Sequence, residues 1–275
     1  MLPNFLIVGA EKGGTTTLAA ALAVHPDVYM SPVKEVRFFS HHWDKGVAWY
    51  EQFFAEARVE GRGEASPAYT WYPRIVDVPR RIYKTLGDIK YIYIVRNPVE
   101  RAISHYRHSL YARRFPATTT FEQALELRPD ICDCSRYYYQ LEQYLPYTDR
   151  LQWLIITLEE LYQNAPPSYT EVFRFLEVDT SFQPPLQTLN VTDGKKITPT
   201  WLTRFSRKLG SVTVPLPSAV KKKLKRAATD LFGKTVRKPQ LAPALHARLV
   251  GEFIPDVERL SVFYEKDFVK LWNLK

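Results

Sequence analysis

The sequence predicts an α/β protein with a central parallel sheet flanked by helices, three layers deep. Three stretches carry that expectation. Phe5-Leu-Ile-Val8, Tyr91-Ile-Tyr-Ile-Val95 and Trp153-Leu-Ile-Ile-Thr157 are short, continuous apolar runs, as strands covered on both faces should be, and each leads straight into a helical segment. Strands and helices alternating in this way build parallel sheets through right-handed crossovers.

The first strand runs into Gly9-Ala-Glu-Lys-Gly-Gly-Thr-Thr-Thr17. Glycines at 9, 13 and 14 allow a tight turn and close approach of backbone to a ligand. Thr15, Thr16 and Thr17 suit the start of a helix carrying Leu18 and Leu22 to about Val24. Such a turn aims unpaired N–H groups and the positive end of a helix dipole at one point, which makes an anion site. A nucleotide-triphosphate loop reads G-x-x-x-x-G-K-[ST]. Gly9 and Gly14 have that spacing, but the lysine is Lys12, inside the loop, so the arrangement is P-loop-like rather than a P-loop. The Tyr91–Val95 strand ends in Arg96, where a magnesium-binding Asp would be expected. A cation in that place suits a doubly anionic nucleotide bound without metal.

Downstream of the first helix, Val28-Tyr-Met30 is a short strand, and the alternation in Lys34-Glu-Val-Arg-Phe-Phe-Ser40 reads as extended chain with Glu35 and Arg37 on the face opposite Val36 and Phe38. Lys45 to Phe54 reads as an amphipathic helix through Val47, Tyr50 and Phe54. Pro79 opens a helix that stops at Gly87, and Pro98 opens another running to about Arg113. On that second helix Arg101, Arg107, Arg113 and Arg114 read as a solvated face from which some could meet an acidic acceptor, and His105 and His108 as solvated or core. Tyr137, Tyr138, Tyr139 and Tyr144 crowd one segment, which suits one packed face and a few exposed rings with core packing the favoured reading for any one of them, and Ser168 to Leu176 is an amphipathic helix behind Pro166-Pro167. Residues 179–199 are polar and proline-broken, and 200–240 are the most basic part, with Lys221-Lys-Lys-Leu-Lys-Arg226. Helical segments around Leu249 and Leu260 precede Trp272, which closes the core.

A chain of 275 residues with 45% hydrophobic content can bury one sizeable core, so a single domain spanning 1–275 is expected. The net charge of +9, from 38 basic and 29 acidic residues, favours anionic partners. The basic run 221–226 suits peripheral contact with an anionic surface or guidance of a polyanion, and no nucleic-acid-binding module accompanies it. Cys132 and Cys134, two apart, are too close for an unstrained disulfide, and no C-x-x-C pair or His cluster points to a metal. Met1 to Asn4 is too short for a signal peptide and no run approaches the ~20 apolar residues of a membrane span, so a cytoplasmic protein is expected.

Two motifs carry a resemblance. Val8-Gly-Ala-Glu-Lys-Gly-Gly-Thr-Thr-Thr-Leu18 resembles the 5′-phosphosulfate loop of sulfotransferases that use 3′-phosphoadenosine 5′-phosphosulfate (PAPS) and release PAP. Arg96-Asn-Pro-Val-Glu-Arg-Ala-Ile-Ser-His-Tyr106 resembles their 3′-phosphate strand and helix, R-x-P-x-x-R-x-x-S-x-Y. His25-Pro-Asp-Val28, Lys34-Glu-Val-Arg-Phe-Phe39, Lys45-Gly-Val-Ala-Trp-Tyr50 and Glu64-Ala-Ser-Pro-Ala-Tyr69 resemble the glycosaminoglycan branch, the heparan sulfate 3-O- and N-sulfotransferases. The similarity runs from about Phe5 to Leu161 and resumes near 190–196 and 255–260.

The resemblance implies sulfuryl transfer from PAPS to a hydroxyl or amine, most naturally on a carbohydrate, with a lipid or secondary metabolite as other acceptors. It places Lys12, Gly13, Gly14, Thr15, Thr16 and Thr17 at the 5′-phosphosulfate, Arg96 and Ser104 at the 3′-phosphate, and Lys195 and Lys196 in a basic loop over the nucleotide. Sulfuryl transfer requires a base for the acceptor proton and a cation for the leaving phosphate; the resemblance puts Glu35 in the first role and Lys12 in the second, with His41 and His42 as rival bases. Arg37, His42, Ser66, Tyr69 and Tyr137 fall on the acceptor side. The sequence departs from the family at Ala65, where the 3-O enzymes carry a polymer-engaging lysine, and is expected to differ from the Golgi-anchored animal members in lacking an anchor. A small-molecule kinase and a non-catalytic basic binding module are the alternative classes.

Overall fold

The computed structural model describes residues 1–185, the backbone of 196–197 and 234–235, and residues 238–274. Lys195, the basic run 221–226 and the rest of the basic stretch between 198 and 233 lie outside the described residues.

Five strands form one sheet: β1 (Phe5–Gly9), β2 (Val28–Met30), β3 (Gly61–Ala65), β4 (Lys90–Val95) and β5 (Trp153–Thr157). Their order is β2-β3-β1-β4-β5 and every pairing is parallel. β1, the first strand in sequence, sits in the middle with Phe5 opposite Gly63 on one side and Lys90 on the other. A further antiparallel pair, β6 (Lys196–Ile197) with β7 (Lys234–Thr235), stands apart from this sheet.

Helices cover both faces. They are α1 (Thr15–Leu22), α2 (Phe38–His41), α3 (Val47–Glu51), α4 (Val78–Leu86), α5 (Pro98–Tyr111), α6 (Phe121–Leu127), α7 (Asp130–Asp133), α8 (Tyr137–Leu141), α9 (Leu158–Gln163), α10 (Ala165–Leu176), α11 (Pro243–Tyr264) and α12 (Phe268–Leu271). Residues of β1, β4 and β5 alternate between two cores. Leu6, Val8, Tyr91, Tyr93, Val95 and Trp153 pack with α8, α11 and α12 on one side. Phe5, Ile7, Ile92, Ile94, Leu154 and Ile156 pack against α1 and α10 on the other. This two-sided burial is the reason the strands read as unbroken apolar runs.

The helix starts follow their local chemistry. Asn97 caps α5 by accepting from the amides of Val99 and Glu100 at 3.0 and 3.2 Å, with Pro98 as first helical residue. Thr157 caps α9 through a reciprocal box with Glu160. Pro166 and Pro167 lie within the first turn of α10 rather than before it, where their missing N–H groups have no helix partner to lose.

Two expectations are corrected here. The 34–40 segment is not extended: Glu35 and Arg37 are left-handed, each with φ of 55°, and α2 starts at Phe38. Val36 and Phe38 are nevertheless buried, so the alternation marked the right faces on a different backbone. Arg101 and Arg107 are buried rather than solvated, at 0% and 7% exposure, and α5 packs Arg101 beneath the loop after β1. Trp272 is buried as expected, and both cysteines are free thiols that burial pushes up to about 11 at Cys132 and about 12 at Cys134.

Asp256 on α11 accepts from the amides of Tyr138 and Tyr139 at 3.0 and 2.8 Å, tying α11 to the start of α8. Burial pushes its carboxyl from 3.8 to about 6. The native chain then binds the proton more tightly than the unfolded chain, so this group's contribution to stability falls as pH rises between those two values. Urea midpoints compared across that window should show the fall, and Asp256→Asn should flatten it relative to the parent chain.

Candidate active site

The loop from Ala10 to Gly14 is pinned from below by β4. The Ala10 amide donates to the Ile94 carbonyl at 2.7 Å, and the Gly13 amide donates back to the Ala10 carbonyl at 2.8 Å. A Cβ on Gly13 would lie 2.3 Å from the Ile94 oxygen, so only glycine lets the loop press this close to the strand. Gly14 has φ of 110°, a region open mainly to glycine, and leads into α1. At this helix start the amides of Gly14, Thr15 and Thr16 have no intrahelical acceptor. The Gly13 amide is already engaged, which narrows the expected cradle to the three residues after it.

A cavity of about 600 Å³ opens over this loop. Lys12, Gly14, Thr15, Thr16, Thr17, Glu35, Arg96 and Ser104 all line it, so residues spread over almost a hundred positions meet at one place. Arg96 follows β4 directly, and its Nε is buried with no hydrogen-bond partner among the described residues. An orphaned guanidinium donor of this kind calls for an anionic acceptor. Glu100, one turn along α5, lies 4.0 Å from Arg96 and 2.7 Å from the Lys238 ammonium, and both Glu100 and Lys238 line the same cavity. Leu158 and Glu159, from the start of α9, form a further wall.

Beneath the loop lies a residue that the charge pattern hid. The Arg101 guanidinium donates to Ser135 Oγ at 2.5 Å, to the Glu11 carbonyl at 3.2 Å and to the Ile131 carbonyl, and it meets His105 Nδ1 at 3.3 Å. It therefore ties α5 and the end of α7 to the backbone of the loop. The Glu11 carboxyl, 3.6 Å from His105 Nε2, is raised by burial, while burial and then the Arg101 charge hold His105 well below its ordinary value.

The residues expected on the acceptor side divide. Glu35 lines the cavity and is ion-paired with Arg37. Arg37 and His42 are partly exposed beside it, outside the cavity wall. Ser66, Tyr69 and Tyr137 are buried at 0%, 2% and 0% exposure, which corrects their expected direct contact with an acceptor. Tyr137 instead donates to the Arg96 carbonyl at 2.7 Å, and Ser66 and Tyr69 donate to the buried carboxylate of Glu64. Burial raises Glu64, with the hydrogen bonds it accepts opposing that rise. Lys196 is described as backbone of β6 only, and Lys195 lies outside the described residues. Lys238 escaped the sequence reading because it is separated from Glu100 by 138 positions and lies in no motif.

The sulfotransferase domain family matches residues 2–208. A crystal structure of a sulfotransferase from Alicyclobacillus acidocaldarius superimposes with a TM-score of 0.71 at 26% identity and covers 99% of both chains. Among curated proteins, human heparan sulfate glucosamine 3-O-sulfotransferase 5 is 31% identical over 64% of this chain and 54% of its own length. Human bifunctional heparan sulfate N-deacetylase/N-sulfotransferase 2 is 33% identical over 70% of this chain and 24% of its own length. Membrane-associated sulfotransferase kil1 of Dictyostelium discoideum is 32% identical over 48% of this chain and 29% of its own length. The chain thus spans from about a quarter to about half of these curated relatives.

These relatives correct the cytoplasmic placement expected from the sequence. One is named membrane-associated, which points away from the cytoplasm. Separately, no helix among the described residues is long and apolar enough to cross a membrane.

Removing the Arg101 side chain leaves several acceptors without a donor, at about 1–3 kcal/mol each. Arg101→Met should therefore lower unfolding free energy by about 2–5 kcal/mol in urea titrations. Arg101→Lys should recover only part of that, because an ammonium cannot reproduce the guanidinium fork. Equal stability of Arg101→Met and the parent chain would remove this tie from the account.

Proposed function

We infer that this chain, which belongs to the sulfotransferase domain family, transfers a sulfuryl group from PAPS to a hydroxyl or amine of a carbohydrate. The observation that carries the reading is the shared cavity, lined together by Lys12 and the loop residues Gly14 to Thr17, by Arg96 and Ser104, and by Glu35. The two basic groupings suit a nucleotide phosphorylated at both its 5′ and 3′ ends, and the orphaned Arg96 Nε is a donor waiting for one of those phosphates. A volume of about 600 Å³ is in the range of nucleotide and small-ligand sites.

The donor nucleotide supplies the activated sulfuryl group and a phosphate leaving group. The amides of Gly14, Thr15 and Thr16 and the Lys12 ammonium hold that phosphate and offset the charge that grows on it as the S–O bond breaks. Glu35 accepts the proton of the acceptor hydroxyl while its oxygen bonds to sulfur. Arg96 and Ser104 hold the 3′-phosphate, which fixes the nucleotide's register along α5. Two features bear on the acceptor. Relatives named for heparan sulfate favour a carbohydrate, while Ala65, standing where the resemblance places a polymer-engaging lysine, speaks against heparan sulfate itself.

Lys12→Ala should lower turnover by about 10²–10³, the usual effect of removing one preorganised donor. Glu35→Gln should lower it by about 10²–10⁴ and leave PAP affinity, read by thermal shift, nearly unchanged. Incubation with labelled PAPS and a panel of uronic acid–glucosamine oligosaccharides, glycolipids and small alcohols, scored by mass, tests the reaction and its acceptor. No PAP-induced rise in melting temperature, or a Glu35→Gln variant of full activity, would overturn the donor site and the base respectively.

A further inference from the structure

Glu64, on β3, is 1% exposed, and no Lys or Arg forms an ion pair with it among the described residues. A buried carboxylate without a counter-ion is costly unless its oxygens are fully hydrogen-bonded, and an apolar residue of similar size would serve stability as well. Its bonds are correspondingly complete. Tyr50 donates to Oε1 at 2.9 Å, Tyr69 donates to the same oxygen, and Ser66 donates to Oε2 at 2.6 Å.

Two of these bonds lead on to one short segment, and the Val36 amide of that segment also favours the charged form of Glu64. The Arg37 amide reaches it through Ser66 Oγ, to which it donates at 2.9 Å. The Phe39 amide reaches it through the Tyr69 hydroxyl at 3.5 Å. That segment carries Glu35, and both Glu35 and Arg37 are left-handed. Non-glycine residues held in that conformation persist only where the surroundings over-determine it. Glu64 with its two hydroxyl relays is the group that does so here.

We propose that Glu64 is a positioning residue for Glu35: it touches no substrate, and it holds the turn through residues 35–39, left-handed at Glu35 and Arg37, that presents the Glu35 carboxylate to the cavity. The proposal rests on the reading of Glu35 as the base. It explains why an uncompensated acid is kept in the interior beside β1, and why Ser66 and Tyr69 belong to the catalytic apparatus without reaching the acceptor.

The test is a double-mutant cycle on PAP formation from PAPS, run with uronic acid–glucosamine oligosaccharides and with water as the acceptor hydroxyl. Glu64→Gln keeps the shape but replaces one acceptor oxygen by an NH₂ group, and Ser66→Ala removes the acceptor of the Arg37 amide while leaving Glu64 in place. Each should lower kcat by about 10²-fold, the cost of misplacing a reacting group by about 1 Å, with the KM for PAPS and PAP affinity unchanged. In a Glu35→Gln background neither should cost more, because the group they position is already gone. Losses that multiply in the double variants, or a rise in the KM for PAPS equal to the fall in kcat, would mark Glu64 as merely structural and overturn the proposal. A Glu35→Gln variant as active as the parent would instead sink the assignment of the base. Should Glu64→Gln fail to fold, Ser66→Ala alone decides.

Discussion

The site depends on how closely the loop after β1 can lie against β4. The Ala10 amide donates to the Ile94 carbonyl, and Gly13 passes over the same oxygen at a distance that excludes any side chain. This one contact sets the height of the loop above the sheet. It turns the amides at the start of α1 toward the cavity and brings Lys12 into the same space as Arg96, which emerges from the next residue but one along β4. Parallel pairing of β1 with β4 is what makes the contact available, since it aligns the carboxyl ends of both strands on one edge of the sheet.

Much of this was legible in the sequence, for reasons of local chemistry. The strands β1, β4 and β5 are covered on both faces, so their apolar runs could not be mistaken for half-exposed alternation. Pro98 after Asn97, and the glycines at 13 and 14, report backbone geometry that few other residues tolerate. The segment around Glu35 was misread because alternation of burial has two causes. A strand produces it by pleating, whereas here two left-handed residues flanking a buried valine produce it by turning. Arg101 was misread because its helix spacing is that of a solvated stripe, and only the packing of α7 and the loop over α5 shows that the stripe faces inward. Tyr137 and Lys238 depend on contacts across long stretches of chain, which no local pattern encodes.

The two sides of the cavity are built with opposite charges in the same way. On the nucleotide side a buried guanidinium, Arg101, collects backbone carbonyls from the loop and from α7. On the side of Glu35 a buried carboxylate, Glu64, collects hydroxyls and, through them, backbone amides. A guanidinium offers donors only and a carboxylate accepts only, so each can bind several copies of one backbone group without internal conflict. Neither is an economical way to stabilise a fold, because desolvating a charge costs several kcal/mol before any bond is returned. What each contributes is direction. A loop tied at several backbone atoms to one rigid, buried group has few ways to relax, and a site that must meet charge developing in a transition state gains from donors and acceptors that do not have to reorient.

The same logic separates the surface ion pairs from the buried hubs. Glu100 bridges Arg96 and Lys238 at the rim, where Glu100 and Lys238 keep access to water and can exchange partners at little cost. Such pairs hold cations near an anion's place without committing them to each other, since an incoming phosphate presents more acceptor oxygens than one carboxylate. The rigid parts of the site thus lie beneath it, in buried charges held by several hydrogen bonds, and the adaptable parts lie at its mouth, in partly exposed pairs. Substitutions below the loop should therefore act on geometry, and those at the rim on how readily the nucleotide enters and leaves.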